Sequence, residues 1–303
     1  MNSAPPILIA GCGYLGQALA RLALEQGREV LGLCQRESSA QALRDAGIPA
    51  QAVNVADAAA PLELANEWPR ETAVVHCAAS GRGGGREAYR AVYLEGMRNL
   101  RSAFSGASQV VFTSSTSVYA QSDGSWVNED SPAVPDRETG RVLRATEDET
   151  LAAGGTVLRL AGLYGPGRSV LLRNFLSGES AIDVRTEPPA TPDGRWVNQI
   201  HRDDAARALL ALVNSDASRA RIFNAADGTP LLQRTIYSEL ARRFSRPLPP
   251  EAAPDAGRKR GWTHKRVDAS RLRSLGWQPQ YGSWFEALDG DAPLIPSVLA
   301  QLA

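Results

Sequence analysis

Lysine is almost missing from this chain of 303 residues. It stands only at Lys259 and Lys265, so of 33 basic residues, less those two, 31 are arginine. Surface charge accepts either cation, but the first 258 residues offer no side-chain amine for chemistry. Cysteine is sparse too: Cys12, Cys34 and Cys77 form no C-x-x-C pair. An odd, scattered set excludes a disulfide framework and fits free thiols in a reducing compartment. Charge of one sign is also lacking, since 33 acidic residues balance 33 basic ones and the pI is about 6.9. That excludes a broad basic field for nucleic acid or an anionic membrane surface. Residues 1–6 lack a basic start and a long apolar run, and no apolar stretch approaches a membrane span. No histidine, cysteine and carboxylate cluster has metal-ligand spacing, so no metal is expected. A soluble, cytoplasmic protein is the expectation.

What is present is an alternation. PPILIAG is a short apolar run, read as a buried strand, and GYLGQALARLALEQG has apolar residues at helical spacing up to Gly27. EVLGLCQR, AQAVNVAD, ETAVVHCAAS, SQVVFTSSTSVYA, GTVLRLAGLYGPG and ARIFNAAD read as further strands, with helical segments between most of them. One of these is the long AYRAVYLEGMRNLRSAF; another is RETGRVLRATEDE, from Arg137 to Glu149. Strands alternating with helices predict an α/β fold with a doubly wound parallel sheet. After Gly165 four prolines (Pro166, Pro188, Pro189, Pro192) and weak periodicity suggest an excursion from that sheet. The expected division is therefore residues 1–165 plus 198–228 as the sheet domain, and 166–197 plus 229–303 as a smaller domain over the carboxyl ends of the strands. A cleft there is where open α/β sheets bind ligands.

IAGCGYLG places Gly11, Gly13 and Gly16 in a G-x-G-x-x-G turn after a strand and at the start of a helix, which is the context of a dinucleotide site. Gly11 suits the tight turn, Gly13 lets backbone approach a pyrophosphate, and Gly16 lets helix and strand pack closely. With Tyr14 and Leu15 they are expected to hold the phosphates at the helix N-terminus. The end of the second strand offers Gln35 and Arg36, with Glu37 one step on. Arginine matches a 2′-phosphate, so NADP is expected ahead of NAD.

GCGYLG, VVHCAAS, VVFTSSTSVYA, LRLAGLYGPGR, IHRDD and FNAADG, in that order, make the chain resemble the extended short-chain dehydrogenase/reductases, the NAD-dependent epimerase/dehydratase group. The resemblance implies a Rossmann-like domain with a smaller carboxyl-terminal substrate domain, and a homodimer through the long helices. It places Asn54 and Val55 near the adenine, Cys77, Ala78 and Ala79 along the cofactor ribose, and Ser114 with Ser115 beside the nicotinamide, with Thr113 also among the cofactor-binding residues. Family catalysis uses a serine or threonine and then a Tyr-x-x-x-Lys helix, in which the lysine lowers the tyrosine pKa. Ser115 fits the first position. Counted back from Glu147, Leu143 stands at the lysine place and Thr139 at the tyrosine place, and the chain contains no Tyr-x-x-x-Lys. That pattern resembles atypical members, as does Tyr93, where the family usually has asparagine.

Other candidates are Arg82 and Arg86, which flank a glycine run and suit an anionic substrate, together with Arg168. Tyr119 and Tyr164 could supply a substitute acid or line the substrate, or simply pack. His201 could titrate near neutrality or support the domain junction. Cys12 could be a thiol activated by the helix dipole, or a small filler. Two functions remain open: an oxidoreductase, epimerase or dehydratase acting on a small, sugar-nucleotide-like anion with non-standard catalytic residues, or a non-catalytic NADP-binding sensor.

Overall fold

The computed structural model describes residues 4–81, 85–255, 257 and 262–302. Seven strands form one sheet: β1 (Ile7–Ala10), β2 (Val30–Cys34), β3 (Ala50–Ala52), β4 (Ala73–His76), β5 (Gln109–Ser115), β6 (Thr156–Leu160) and β7 (Ile222–Ala225). They lie in the order β3-β2-β1-β4-β5-β6-β7, every neighbouring pair parallel. From β1 the chain winds outward one way and from β4 the other, so β1 and β4 flank the switch point where such sheets take ligands. The short apolar runs read as strands because both faces are covered. Ile7 and Ile9 pack with Leu19 and Leu209 on one side, while Leu8 and Ala10 pack with Leu64 and Leu100 on the other.

The helices are α1 (Tyr14–Glu25), α2 (Glu37–Asp45), α3 (Ala59–Ala65), α4 (Arg86–Arg90), α5 (Gly96–Ala103), α6 (Glu138–Ala152), α7 (Val170–Leu176), α8 (Arg202–Val213), α9 (Gln233–Phe244), α10 (Ser270–Arg273), α11 (Trp284–Gly290) and α12 (Leu294–Leu299). Two expected elements differ. The long helix after the glycine loop is interrupted by a π-helical turn, Ala91–Glu95, between α4 and α5. His76 Nε2 lies 3.0 Å from the Val92 carbonyl in that turn and donates to it, replacing a partner the widened spiral gives up. The predicted sixth strand is two. β6 stays in the sheet, and Gly162–Tyr164 leaves it to pair in parallel with Gln199–His201. Gly162 sits at the handover because a β-carbon there would stand 2.9 Å from the Gln199 side chain.

A second apolar cluster gathers Tyr164 and Ile182 with Leu172, Phe175, Tyr237, Leu240, Trp284 and Leu294 of α7, α9, α11 and α12. Residues 229–303 do not all belong to it: Val267, Ala269, Leu272 and Trp277 pack into the cluster against the sheet. Among the described residues no helix is long and apolar enough to cross a membrane.

Candidate active site

The glycine turn is shaped by three different needs. Gly11 has φ +85°, and a β-carbon on it would lie 2.2 Å from the Ala78 Cα, so the turn closes directly on the residue after β4. At Gly16 a β-carbon would stand 2.7 Å from the Gly11 carbonyl oxygen, which seals α1 against the turn. Gly13 is the opposite case, since a β-carbon there would meet no protein atom within 4 Å. Its open side faces away from the protein, at the N-terminus of α1, where the free backbone N–H groups suit a pyrophosphate. The turn thus fits a dinucleotide. Cys12 is the filler: it is buried, and Gly32 has room for nothing more because a β-carbon there would lie 2.7 Å from Cys12 Sγ. Burial pushes its thiol up to about 12, so the dipole-activated thiol is overturned. Leu15 is buried beneath the turn. Tyr14 reaches outward instead, its hydroxyl donating to the Pro166 carbonyl at 3.1 Å. The Arg168 and Arg202 guanidiniums lie over its ring at 5.4 and 5.2 Å.

The adenine end is set by β2 and β3. Arg36 is exposed and occupies the position just before α2, in extended backbone. Glu37 is turned back on its own helix and pairs with Arg44 at 2.5 Å. Asn54 closes a turn by accepting the Ala56 N–H at 3.2 Å, and the Val55 carbonyl accepts from Asn99 at 2.9 Å. Cys77 extends the ladder past β4, its N–H donating to the Ala10 carbonyl at 2.7 Å. Burial pushes the Cys77 thiol up to about 12. Ala78 follows it, half-buried, and Ala79 is exposed.

At the end of β5 the three polar residues have distinct tasks. The Thr113 hydroxyl donates to the His76 carbonyl at 2.9 Å and locks β5 to β4. Ser114 points into the core and donates to Glu147 Oε1 at 2.5 Å. Ser115 Oγ accepts the Ser117 N–H at 3.2 Å and so caps the helical turn Thr116–Val118 that leaves the strand.

The helix that follows, α6, carries neither a phenol nor an amine toward Ser115. Thr139 lies half-buried in its first turn and Leu143 is buried in the apolar core. At Gly140 a β-carbon would stand 2.4 Å from Pro135 Cβ, which closes that place to a larger residue. The Arg141 side chain reaches back to Glu138 and to the Asp136 carbonyl, and Arg144 pairs with Glu147 and Asp148.

What α6 does carry is Glu147, fully buried and bonded by both oxygens to Arg159 of β6, at 3.1 and 2.7 Å. Arg159 Nη1 donates to the Tyr119 hydroxyl at 2.7 Å, and that hydroxyl donates to Asn224 Oδ1 at 3.0 Å. Burial alone would lower the Arg159 guanidinium, but Glu147 outweighs it and the group is held above its ordinary value. This chain of buried polar groups runs under β5 from Ser114 to β7. Arg159 and Asn224 were missed as functional residues by reasoning from sequence. Their signal is a strongly polar residue inside an apolar strand run, LRL and IFNAA.

Several expected substrate residues prove to be structural. Tyr119 belongs to the buried chain just described, and burial raises its phenol. Tyr164 is buried among the second cluster, and burial, then Asp227, pushes its phenol far up. Neither is an accessible acid. His201 is also buried: its Nδ1 accepts the Asp203 N–H and caps α8, so Nε2 carries the proton and donates to Asp291 at 2.9 Å. It pins the junction rather than meeting substrate. Arg86 is well exposed and pairs with Glu138 at 3.2 Å. Arg82 lies outside the described residues. Tyr93 packs on Tyr89, ring centres 4.4 Å apart. Lys265, one of the two lysines, is buried, and its Nζ donates to the Tyr119 carbonyl at 2.7 Å.

A parallel sheet wound both ways from β1 and β4, with a glycine turn at that switch point, defines a dinucleotide-binding α/β protein. Residues 7–226 match the NAD dependent epimerase/dehydratase family, and the chain belongs to it. One relative is Protein YeeZ of Escherichia coli (strain K12), 30% identical over 287 residues, 91% of this chain and 96% of that protein. A functionally unknown conserved protein from Silicibacter pomeroyi DSS is 26% identical in its solved structure, with a TM-score of 0.71 over 95% of this chain and 99% of that one. A short-chain dehydrogenase/reductase superfamily protein from Agrobacterium tumefaciens, solved with bound NAD, has a TM-score of 0.79 at 19% identity, covering 98% of each chain. At that identity the likeness is one of fold.

Proposed function

We propose that this chain is an NADP-dependent oxidoreductase or epimerase that acts on a small anionic substrate with Ser115 as its polar contact. The observation that carries the reading is the glycine turn: packed tight at Gly11 and Gly16, open at Gly13, and placed at the switch point of a family defined by a nicotinamide cofactor. The nicotinamide, when bound, supplies the hydride acceptor or donor. The chain's own residues do the rest. The N–H groups at the start of α1 hold the pyrophosphate, and Arg36 holds a 2′-phosphate, favoured because the neighbouring carboxylate of Glu37 is already paired with Arg44. Ser115 Oγ, fixed by the Ser117 N–H, orients a substrate hydroxyl or carbonyl beside the cofactor.

A second reading is favoured by α6. With Leu143 buried at the lysine place and Thr139 at the tyrosine place, that helix supplies no proton carrier, which suits a protein that binds NADP and signals by a change in its second unit. Calorimetric titration of cofactor-stripped protein with NADPH, NADP, NADH and NAD tests both. A phosphorylated form should bind best, and Arg36→Ala should weaken it by about tenfold or more. Binding of none of the four sinks both readings. Ser115→Ala then separates them: a fall in turnover of about 100-fold or more with cofactor affinity kept supports the enzyme.

A further inference from the structure

Lys265 is one of two lysines in the chain and is 4% exposed. It comes from the second half of the sequence to the carboxyl-end side of the sheet, next to the short strand Arg266–Val267, which pairs in parallel with Trp126–Val127. Its backbone is fixed on both sides by Asn198, which donates to the Lys265 carbonyl at 2.9 Å and accepts the Val267 N–H at 2.7 Å. Its amine meets the Tyr119 carbonyl, at the end of the turn that starts from Ser115. An ammonium has three protons to place, and a buried one ordinarily faces a carboxylate.

The charged groups around it are of the wrong sign. Arg195 acts on it directly, and no carboxylate does among the described residues. Asp183 is taken by Arg195 at 3.2 Å. On the neighbouring His264, whose Nδ1 accepts the Trp196 N–H at 3.1 Å, the groups that act most are Asp123 and three arginines, Arg266, Arg185 and Arg195. The Arg266 guanidinium is itself flanked by Trp126 and Trp196 at 5.1 and 5.3 Å. Among the described residues the seam therefore holds more positive than negative charge, together with a buried amine whose hydrogen bond is to one carbonyl.

We infer that Lys265, with Arg195 behind it, is the subsite for a small oxyanion, the carboxylate or phosphate of the substrate, at the seam between the loop after β5 and the second unit. This deepens the reading above and rests on it, since it names the group that makes the substrate anionic and the residue that receives it. An amine in that place holds an oxyanion against the same loop that Ser115 begins, so one end of the ligand is fixed while the other faces the serine. Burial, and then Arg195, pushes the amine down to about 7. An oxyanion arriving near pH 8 therefore draws a proton onto the amine as it binds.

The test is calorimetry on the full chain, with and without NADPH, using inorganic phosphate and, separately, malonate, at pH 8 in two buffers of different ionisation enthalpy. At least one probe should bind with uptake of about one proton. Lys265→Met should lower its affinity about tenfold or more and abolish the uptake. Lys265→Arg should bind without uptake, because a guanidinium stays charged throughout. Should the methionine variant not fold, the arginine variant carries the test through the lost uptake. Binding of neither probe, equal binding by the methionine variant, or binding without proton uptake by the wild type each overturns the proposal. Cofactor affinity, measured in the same samples, reports separately on the parent reading. Phosphate against malonate tells which oxyanion the subsite prefers.

Discussion

Gly11 and Gly13 differ by two places and by everything that a methyl group would meet. At Gly11 an alanine would have to hold φ near +85° and overlap Ala78, whereas at Gly13 it would point into open space. Gly11→Ala should therefore cost stability, roughly 1–3 kcal/mol from the backbone alone. Gly13→Ala should leave the urea unfolding curve nearly unchanged and still abolish cofactor binding, because the methyl occupies the phosphate's approach. Equal losses of stability in both variants would sink this account of the turn. The turn was legible because its demands are local. At the end of β2 the order Arg36, Glu37 was plain, while the engagement of Glu37 by Arg44 was not. Arg159 and Asn224 stayed hidden for another reason: a charged residue in an apolar run gains meaning only once the partner that neutralises it is known, and Glu147 lies on a different element.

At the scale of the element, α6 does structural service. Its inward face gives Val142 and Leu143 to the core and Glu147 to Arg159. Removing one member of this fully buried pair leaves the other charge uncompensated, so Glu147→Leu should destabilise by about 3–5 kcal/mol. The double variant Glu147→Leu with Arg159→Leu should recover a large part of that loss. Chemical denaturation of the two single variants and the double one checks it, and strict additivity would refute the coupling. The elements themselves were largely readable, since parallel strands buried on both faces announce themselves as unbroken apolar runs. The splitting of the sixth strand and the π turn were not, because each is decided by a distant partner: Gln199 for the first, His76 for the second.

For the whole molecule, pH connects the two units. Asp227 follows β7 and is buried, with Oδ1 accepting the Thr229 N–H at 3.0 Å. Burial pushes its carboxyl up to about 8. A carboxyl raised in the folded state contributes stability that is complete below its unfolded value near 4 and is lost as pH rises through about 8. Lys265 runs the other way: its amine is depressed to about 7, so its contribution is complete above the unfolded value near 10.5 and is lost as pH falls through 7. Together they give a trough of stability between about pH 7 and 8, with limbs of up to about 1.4 kcal/mol per pH unit. Asp227→Asn should flatten the acid limb and Lys265→Met the alkaline one, as read from denaturant midpoints across pH 4–10. A wild-type curve with its maximum in that window would count against both assignments.

The chain leaves the sheet along Gly162–Tyr164 and comes back along Gln199–His201, and the two passages run side by side as one parallel ladder. A pull that tried to gape the units apart at this place would load every rung of that ladder together. The ladder is therefore a clasp between the two passages, while Lys265 is laced separately to the loop that begins at Ser115, by its amine on the Tyr119 carbonyl and by the pairing of Arg266–Val267 with Trp126–Val127.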